Sequence, residues 1–230
     1  MVHPGMAQMT ELPEGRDALR ARVTGRLPRW YSPWAHLLIP GLAGIALIIL
    51  CITMLRPLAA GELLAAGVWL VACNAIEWNI HRHLLHHRSW AFYDKHTPEH
   101  HGIFRDHDMA IRSRREFALV LIPGYAVLAL FLVLLPIAGA LMLVRWNLGL
   151  LFYAASAFYV LAYEWMHLLY HLPEPSRGWI APIAWLQRHH ALHHDPKLMQ
   201  GWNFNTTLPL WDRVKGTAYR RLRPAPRSAS

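Results

Sequence analysis

Fourteen of the sixteen histidines fall between His81 and His107 or between His167 and His194. The first concentration reads EWNIHRHLLHH and then KHTPEHH; the second reads YEWMHLLYH and, after a Pro-containing break, QRHHALHH. Neutral imidazole is the commonest side-chain ligand for zinc, copper and iron, whereas imidazoles crowded without a metal need separate partners and repel one another once protonated. A metal centre answers both demands. His167 and His171, His96 and His100, and His190 and His194 are four residues apart, the spacing that puts two side chains on one face of an α-helix. Ten donors in four groups exceed the needs of one ion and fit two ions at about four or five ligands each. Ligand type does not choose among zinc, copper and iron. The setting favours iron, because a metal pair at a membrane surface above apolar helices suits oxygen activation against an unactivated C–H bond.

These donors must be carried by helices that end together. Hydrophobic residues make up 54% of the chain and charged residues 16%, and the apolar excess lies in blocks. His36 to Leu55, Leu63 to Ile80, Phe117 to Leu135 and Leu148 to Tyr163 are each about the length that crosses a bilayer as a helix. The third block stays apolar past Pro136 to Val144, with Pro123, Gly124, Pro136 and Gly139 inside it, so 117–144 reads as one long helix, a helix with a re-entrant turn, or two short segments. An even number of crossings is required between the second and the fourth block, since only then do the two histidine concentrations meet. The fold expected is all-α and integral to the membrane: four transmembrane helices with a cytosolic histidine-rich di-metal cap. Residues 1–33 form a polar N-terminal segment, 34–217 the membrane oxygenase domain and 218–230 a disordered tail.

The charge pattern fixes the expected orientation. Basic residues crowd the N-terminal segment, the stretch from Arg82 to Arg115 and the chain from Arg177 onward, leaving Arg56 and Arg145 in the two opposite loops. By the positive-inside rule both termini and the histidine segments are cytoplasmic, and the net charge of +9 reads as topology and contact with anionic headgroups rather than nucleic-acid binding. Glu14 to Gly25 reads as a short helix lying on the membrane, followed by the interfacial anchors Trp30, Tyr31 and Trp34. Cys51 and Cys73 sit inside spans, where a disulfide between them is not expected. His3-Pro4-Gly5 lacks any surrounding haem domain and reads as chance.

The usual soluble di-iron pattern has two Glu-x-x-His motifs. Here Glu164 and His167 make one, and Glu77 precedes His81 by four, so a histidine-dominated centre is expected. Glu77 and Glu164 are then outer carboxylates that orient an imidazole, or partners of an arginine such as Arg82 or Arg188. Asp212 either accepts an N–H from a ligand histidine or caps the turn before Gly216. Trp78, Phe152, Tyr153, Tyr159, Tyr163, Trp165 and Trp211 either wall a substrate channel or pack the helices.

The order His81-x4-His86, His96-x3-His100-His101, His167-x3-His171 and His190-x2-His193-His194, closed by Trp211-Asp212-Arg213 and Gly216-Thr217, resembles the fatty acid hydroxylase and sterol desaturase superfamily of integral-membrane di-iron enzymes. The resemblance runs from about Glu77 to Thr217. It implies that His81, His86, His96, His100, His101, His167, His171, His190, His193 and His194 hold two iron ions, with zinc a substitute on isolation, and that O2 and two electrons are used to hydroxylate or desaturate a membrane lipid. Many relatives carry a fused cytochrome b domain; none is legible here, which implies a separate donor such as a ferredoxin, or a cytochrome with its reductase. Bare geometry fits less well at one point. His81 and His86 lie about 140 degrees apart on an ideal helix, whereas His83 and His87 share a face. The pair required by the resemblance converges only if the helix distorts near Leu84. His36, His83, His87, His107 and His189 are expected to be hydrogen-bonded or exposed rather than ligands. The rival readings are a metal transporter or storage protein, with polar groups at mid-membrane depth, and a membrane zinc hydrolase, which needs far fewer imidazoles.

Overall fold

The computed structural model describes residues 15–88, 92–175, 178 and 180–219. His3 and residues 220–230 of the expected disordered tail lie outside the described residues; Ala218 and Tyr219, expected in that tail, are instead held by N–H bonds to the Asp212 carbonyl and the Asn203 side chain. Among the described residues every regular element is a helix. In chain order they are α1 (Arg16–Gly25), α2 (Pro33–Thr53), α3 (Ala60–Ile80) running into a π-helix (His81–Leu85), a second π-helix (Lys95–His100), α4 (His101–Ile103), a 3-10 turn (Arg114–Glu116), α5 (Phe117–Val120), α6 (Gly124–Val144), α7 (Trp146–Tyr170), α8 (Ala181–His193) and α9 (Leu210–Val214). Four helices, α2, α3 with its π-helical extension, α6 and α7, are long and apolar enough to cross a membrane. The chain is an integral membrane protein.

Local chemistry sets the ends of the spans. The Ser32 hydroxyl accepts from the Ala35 N–H at 3.2 Å and Pro33 opens the first turn, so α2 starts where a cap and a preset φ coincide. The third span differs from the expected Phe117–Leu135. Pro123 disfavours the helical conformation of the residue before it, so α5 stops at Val120 and the span restarts at Gly124 and runs through Pro136 to Val144.

α7 is the central helix, packed against α2, α3 and α6. The α6–α7 crossing is close because Gly149 has no side chain: a Cβ there would sit 2.3 Å from the Ala138 carbonyl oxygen. At this end of the bundle Glu62 accepts from the Arg145 guanidinium, the Ala59 N–H and the Asn147 amide, and Asn147 also donates to the Arg56 carbonyl. Leu64, Val133 and Leu143 are exposed on the outer faces, the arrangement of a bundle whose solvent is lipid.

The opposite end carries the cap. α1 forms close to its expected bounds, but Leu19 and Val23 are buried against Ile103, Phe104, Ile111 and Phe117 of the cap. Arg16 pairs with Asp108 at 2.8 Å and Arg20 with buried Glu116. His36 bridges the Tyr31 hydroxyl and the Ile122 carbonyl at the start of α2. Cys51 and Cys73 are buried free thiols.

Candidate metal centre

Helical period decides which histidines meet. α3 tightens no further at Ile80; it widens into a π-helix, in which backbone bonds span five residues rather than four. His81 and His86 therefore turn to the same side, with ring centroids 5.1 Å apart, and the distortion required near Leu84 is this π-turn. The second π-helix repeats the device: the His101 N–H donates to the His96 carbonyl, five residues back. Pro98, which has no N–H to give, lies within it. His96 and His101 consequently share a cluster, while His96 and His100, expected on one face at four-residue spacing, belong to different clusters. In the regular helices the four-residue rule holds, for His167 with His171 and His190 with His194.

Two groups of five buried imidazoles result. One comprises His81, His86, His96, His101 and His193; the other His100, His167, His171, His190 and His194; within each group the ligand atoms lie within 4.8 Å of one another. Sequence neighbours split between them, since consecutive helical residues point about 100 degrees apart: His100 from His101, and His193 from His194. The groups adjoin, with the rings of His101 and His194 4.2 Å apart. All ten expected residues thus converge, drawn from the end of α3, the 95–103 segment, the end of α7 and α8.

Ring tautomers show that the groups fit cations. His193 Nδ1 lies 2.8 Å from the Trp202 carbonyl, so in a neutral ring that nitrogen carries the proton and Nε2 carries a lone pair. His86 Nδ1 faces the Thr97 hydroxyl, whose own proton goes to the Leu85 carbonyl, so His86 Nε2 also carries a lone pair. These two lone pairs face each other at 3.1 Å. With the tautomers so set, a cation held between the two rings makes that approach favourable. In the second group His100 Nδ1 and His171 Nδ1 donate to the carbonyls of Leu119 and Met109, each at 2.8 Å, leaving their Nε2 atoms buried without a partner. Both ring nitrogens of His167 are likewise unpartnered, as is His190 Nδ1. Buried polar atoms are normally satisfied, and an imidazole whose other nitrogen is tied to a carbonyl is the common form of a metal ligand. All-nitrogen sets of five suit iron, zinc or copper.

Burial holds the imidazoles neutral. For His86, His96, His101, His171, His190, His193 and His194 desolvation pulls the pKa well below the usual value, with neighbouring imidazoles adding to the effect on most of them. His100 is lowered to about 4, again chiefly by burial. A neutral ring at neutral pH is a ring ready to ligate.

The outer groups differ from expectation. Glu77 and Glu164 meet neither a histidine nor an arginine in the hydrogen bonds of the described residues. Glu77 accepts from the N–H groups of Thr206 and Thr207, the Thr207 hydroxyl and the Tyr159 hydroxyl. Glu164 accepts from the Ile122 N–H. The Nδ1 atoms of His81, His100 and His171 are met by the carbonyls of Phe204, Leu119 and Met109 instead. Asp212 accepts from His189, outside both groups, at 3.3 Å and also from the N–H groups of Phe204 and Asn205 and the Thr217 hydroxyl. Burial opposes its ionisation, but these donors outweigh it and keep the carboxyl below its usual pKa. Phe152 and Tyr153 pack with Cys51, Ala138 and Leu150 rather than near the histidines. Sequence reasoning missed Phe204, whose ring lies 5.5 Å from that of His193, and all the carbonyls that fix the tautomers, because a backbone oxygen has no residue signature.

Two adjoining five-imidazole clusters at one end of a four-span bundle define a membrane protein with room for a pair of metal ions. The family model for fatty acid hydroxylases matches residues 66–217, a stretch that holds all ten imidazoles and Asp212, and the chain belongs to that family of oxidoreductases. Comparison with curated proteins and with solved structures gives no match.

Proposed function

We propose that the protein is an O2-dependent di-iron oxidoreductase that hydroxylates or desaturates a C–H bond of a membrane lipid, such as a fatty acyl chain or a sterol. The observation that carries this reading is the pair of lone pairs facing each other between His86 and His193, with four further unpartnered imidazoles in the adjoining group. His81, His86, His96, His101 and His193 would hold one ion, and His100, His167, His171, His190 and His194 the other. When bound, the two irons supply activation of O2 with two electrons from a separate donor, a ferredoxin or a cytochrome with its reductase. The chain's own part is positional. Main-chain carbonyls hold the Nδ1 protons of His81, His100, His171, His193 and His194 and so would aim their Nε2 atoms at the ions. His101, His171, His193 and His194 are wholly shielded from solvent, which keeps water from the reaction. Phe204 beside His193, and Tyr163 with its ring 5.7 Å from that of His167, offer apolar walls for a lipid carbon. Arg188, Arg213 and Lys215 are exposed on the cap, and the basic flanks support a cytoplasmic cap with both termini on that side, where positive charge would attract lipid headgroups and an acidic electron donor.

The test is lipid mass spectrometry of cells with and without the gene. One lipid class should gain an oxygen or lose two hydrogens when wild type is restored under O2, and His193→Ala should restore nothing. Metal uptake into vesicles without O2 or reductant, with no change in any lipid, would favour transport instead.

A further inference from the structure

We infer that the two metal groups are braced by separate carbonyl scaffolds and fail separately, with Glu77 and Asp212 positioning the first group and Glu116 with Arg20 positioning the second. This rests on the reading of the ten imidazoles as ligands.

In the first group, His81 Nδ1 donates to the Phe204 carbonyl and His193 Nδ1 to the Trp202 carbonyl. Both acceptors lie in one loop, 202–207, which has no regular structure of its own to hold it. Two buried carboxylates hold it instead. Asp212 takes the N–H groups of Phe204 and Asn205, at 3.0 Å and 2.8 Å, while the Asn205 side chain returns a bond to the Asp212 N–H. Glu77, one turn before His81 on α3, takes the N–H groups of Thr206 and Thr207. Asn203 adopts φ 58, a left-handed conformation that the loop imposes between them, and its side chain bonds the His189 carbonyl at 3.0 Å. Neither carboxylate touches an imidazole of the group. Each acts through the loop.

In the second group the acceptors are the carbonyls of Phe104, Met109 and Leu119, which receive His194, His171 and His100. These belong to a different stretch, 104–119. Here Glu116 takes the N–H groups of Arg112 and Ser113 and pairs with Arg20 of α1, whose guanidinium carbon also lies 5.2 Å from the Phe104 ring centroid. The N-terminal helix is therefore part of the second brace, which gives its buried arginine a purpose that packing alone does not. The ligand-bearing α8 and 95–103 segments serve both groups; the braces do not. Loss of a group that orients a metal ligand typically weakens metal binding about 10–100-fold, and the separation confines that loss to one group.

The experiment counts ions in half-sites of the full-length chain purified in detergent and titrated with zinc(II), read as metal per chain by mass spectrometry. Wild type holding two ions tests the ligand reading by itself. The background His167→Ala/His171→Ala leaves the first group, and His81→Ala/His86→Ala leaves the second. Glu77→Ala, or the milder Glu77→Gln if the first does not fold, should weaken zinc binding about 10–100-fold in the first background and leave the second background unchanged. Arg20→Ala should do the reverse. Equal weakening in both backgrounds, no weakening in either, or a background that holds no ion at all overturns the inference, because each of these outcomes denies separate bracing.

Discussion

At the scale of single residues the protein depends on imidazoles being neutral and aimed. His193 and His171 show both conditions: each is fully buried, each is held neutral by desolvation, and each gives one ring proton to a carbonyl so that the other nitrogen faces its group. Replacing either by alanine should lower the metal bound per chain and abolish lipid oxidation, while His107→Ala, an exposed residue outside both groups, should change neither; elemental analysis of the purified variants checks this. Acid should act in the same direction. A histidine whose folded pKa is lowered, as His100 is to about 4, takes fewer protons folded than unfolded as the pH falls below the ordinary 6.5. Its contribution to stability is therefore complete above about 6.5 and is lost as the pH falls toward 4. The thermal midpoint of the metal-free protein should drop between about pH 7.5 and pH 5, and a flat profile there would show that the imidazoles are not buried as neutral groups. That these ten imidazoles come together was readable from the sequence because of their clustering at short spacings. Their tautomers were not, since the deciding acceptors are main-chain oxygens of Trp202, Phe204, Met109 and Leu119.

At the scale of elements the register of two π-helices is what an ideal period hides. Four-residue spacing groups His83 with His87 and His96 with His100; the π-turns select His81 with His86 and His96 with His101 instead. Measured metal content should thus fall for His81→Ala and His86→Ala and hold for His83→Ala and His87→Ala, both exposed at the outer side of the turn. The reverse pattern would restore an α-helical register. The spans themselves were legible as apolar blocks, because a bilayer demands length and lack of charge. The start of the third was not, because Val120 to Pro123 is as apolar as the span and only the proline's effect on the backbone separates them. Helix packing makes its own prediction. Gly149→Ala would push a methyl group against the Ala138 carbonyl and the Met142 backbone, and it should cost about 1–3 kcal/mol in an unfolding measurement while leaving the histidine groups intact at the far end.

At the scale of the whole molecule, four crossings bring the ends of α3 and α7 to the same end of the bundle, where α1, α8 and α9 close over them. The proposed orientation puts that end in the cytoplasm. In a Cys51→Ala/Cys73→Ala background, an impermeant thiol reagent outside right-side-out vesicles should label Leu58→Cys, in the α2–α3 loop, and spare Lys197→Cys, in the turn after α8. Labelling of Lys197→Cys alone would invert the topology. The two halves of the cap were separated in the sequence by more than sixty residues between His101 and His167, and only the parity of crossings predicted that they meet. How they meet, with the 95–103 segment and α8 each giving imidazoles to both groups, was not legible in the sequence.

The central claim is that ten imidazoles grip a pair of ions. Elemental analysis of the freshly purified full-length protein, made anaerobically with ferrous iron supplied, measures it directly: two irons per chain are expected, falling to one when His81 and His86 are both replaced by alanine. Wild type that oxidises its lipid with no metal, or that saturates at a single ion unaffected by those replacements, would contradict the account.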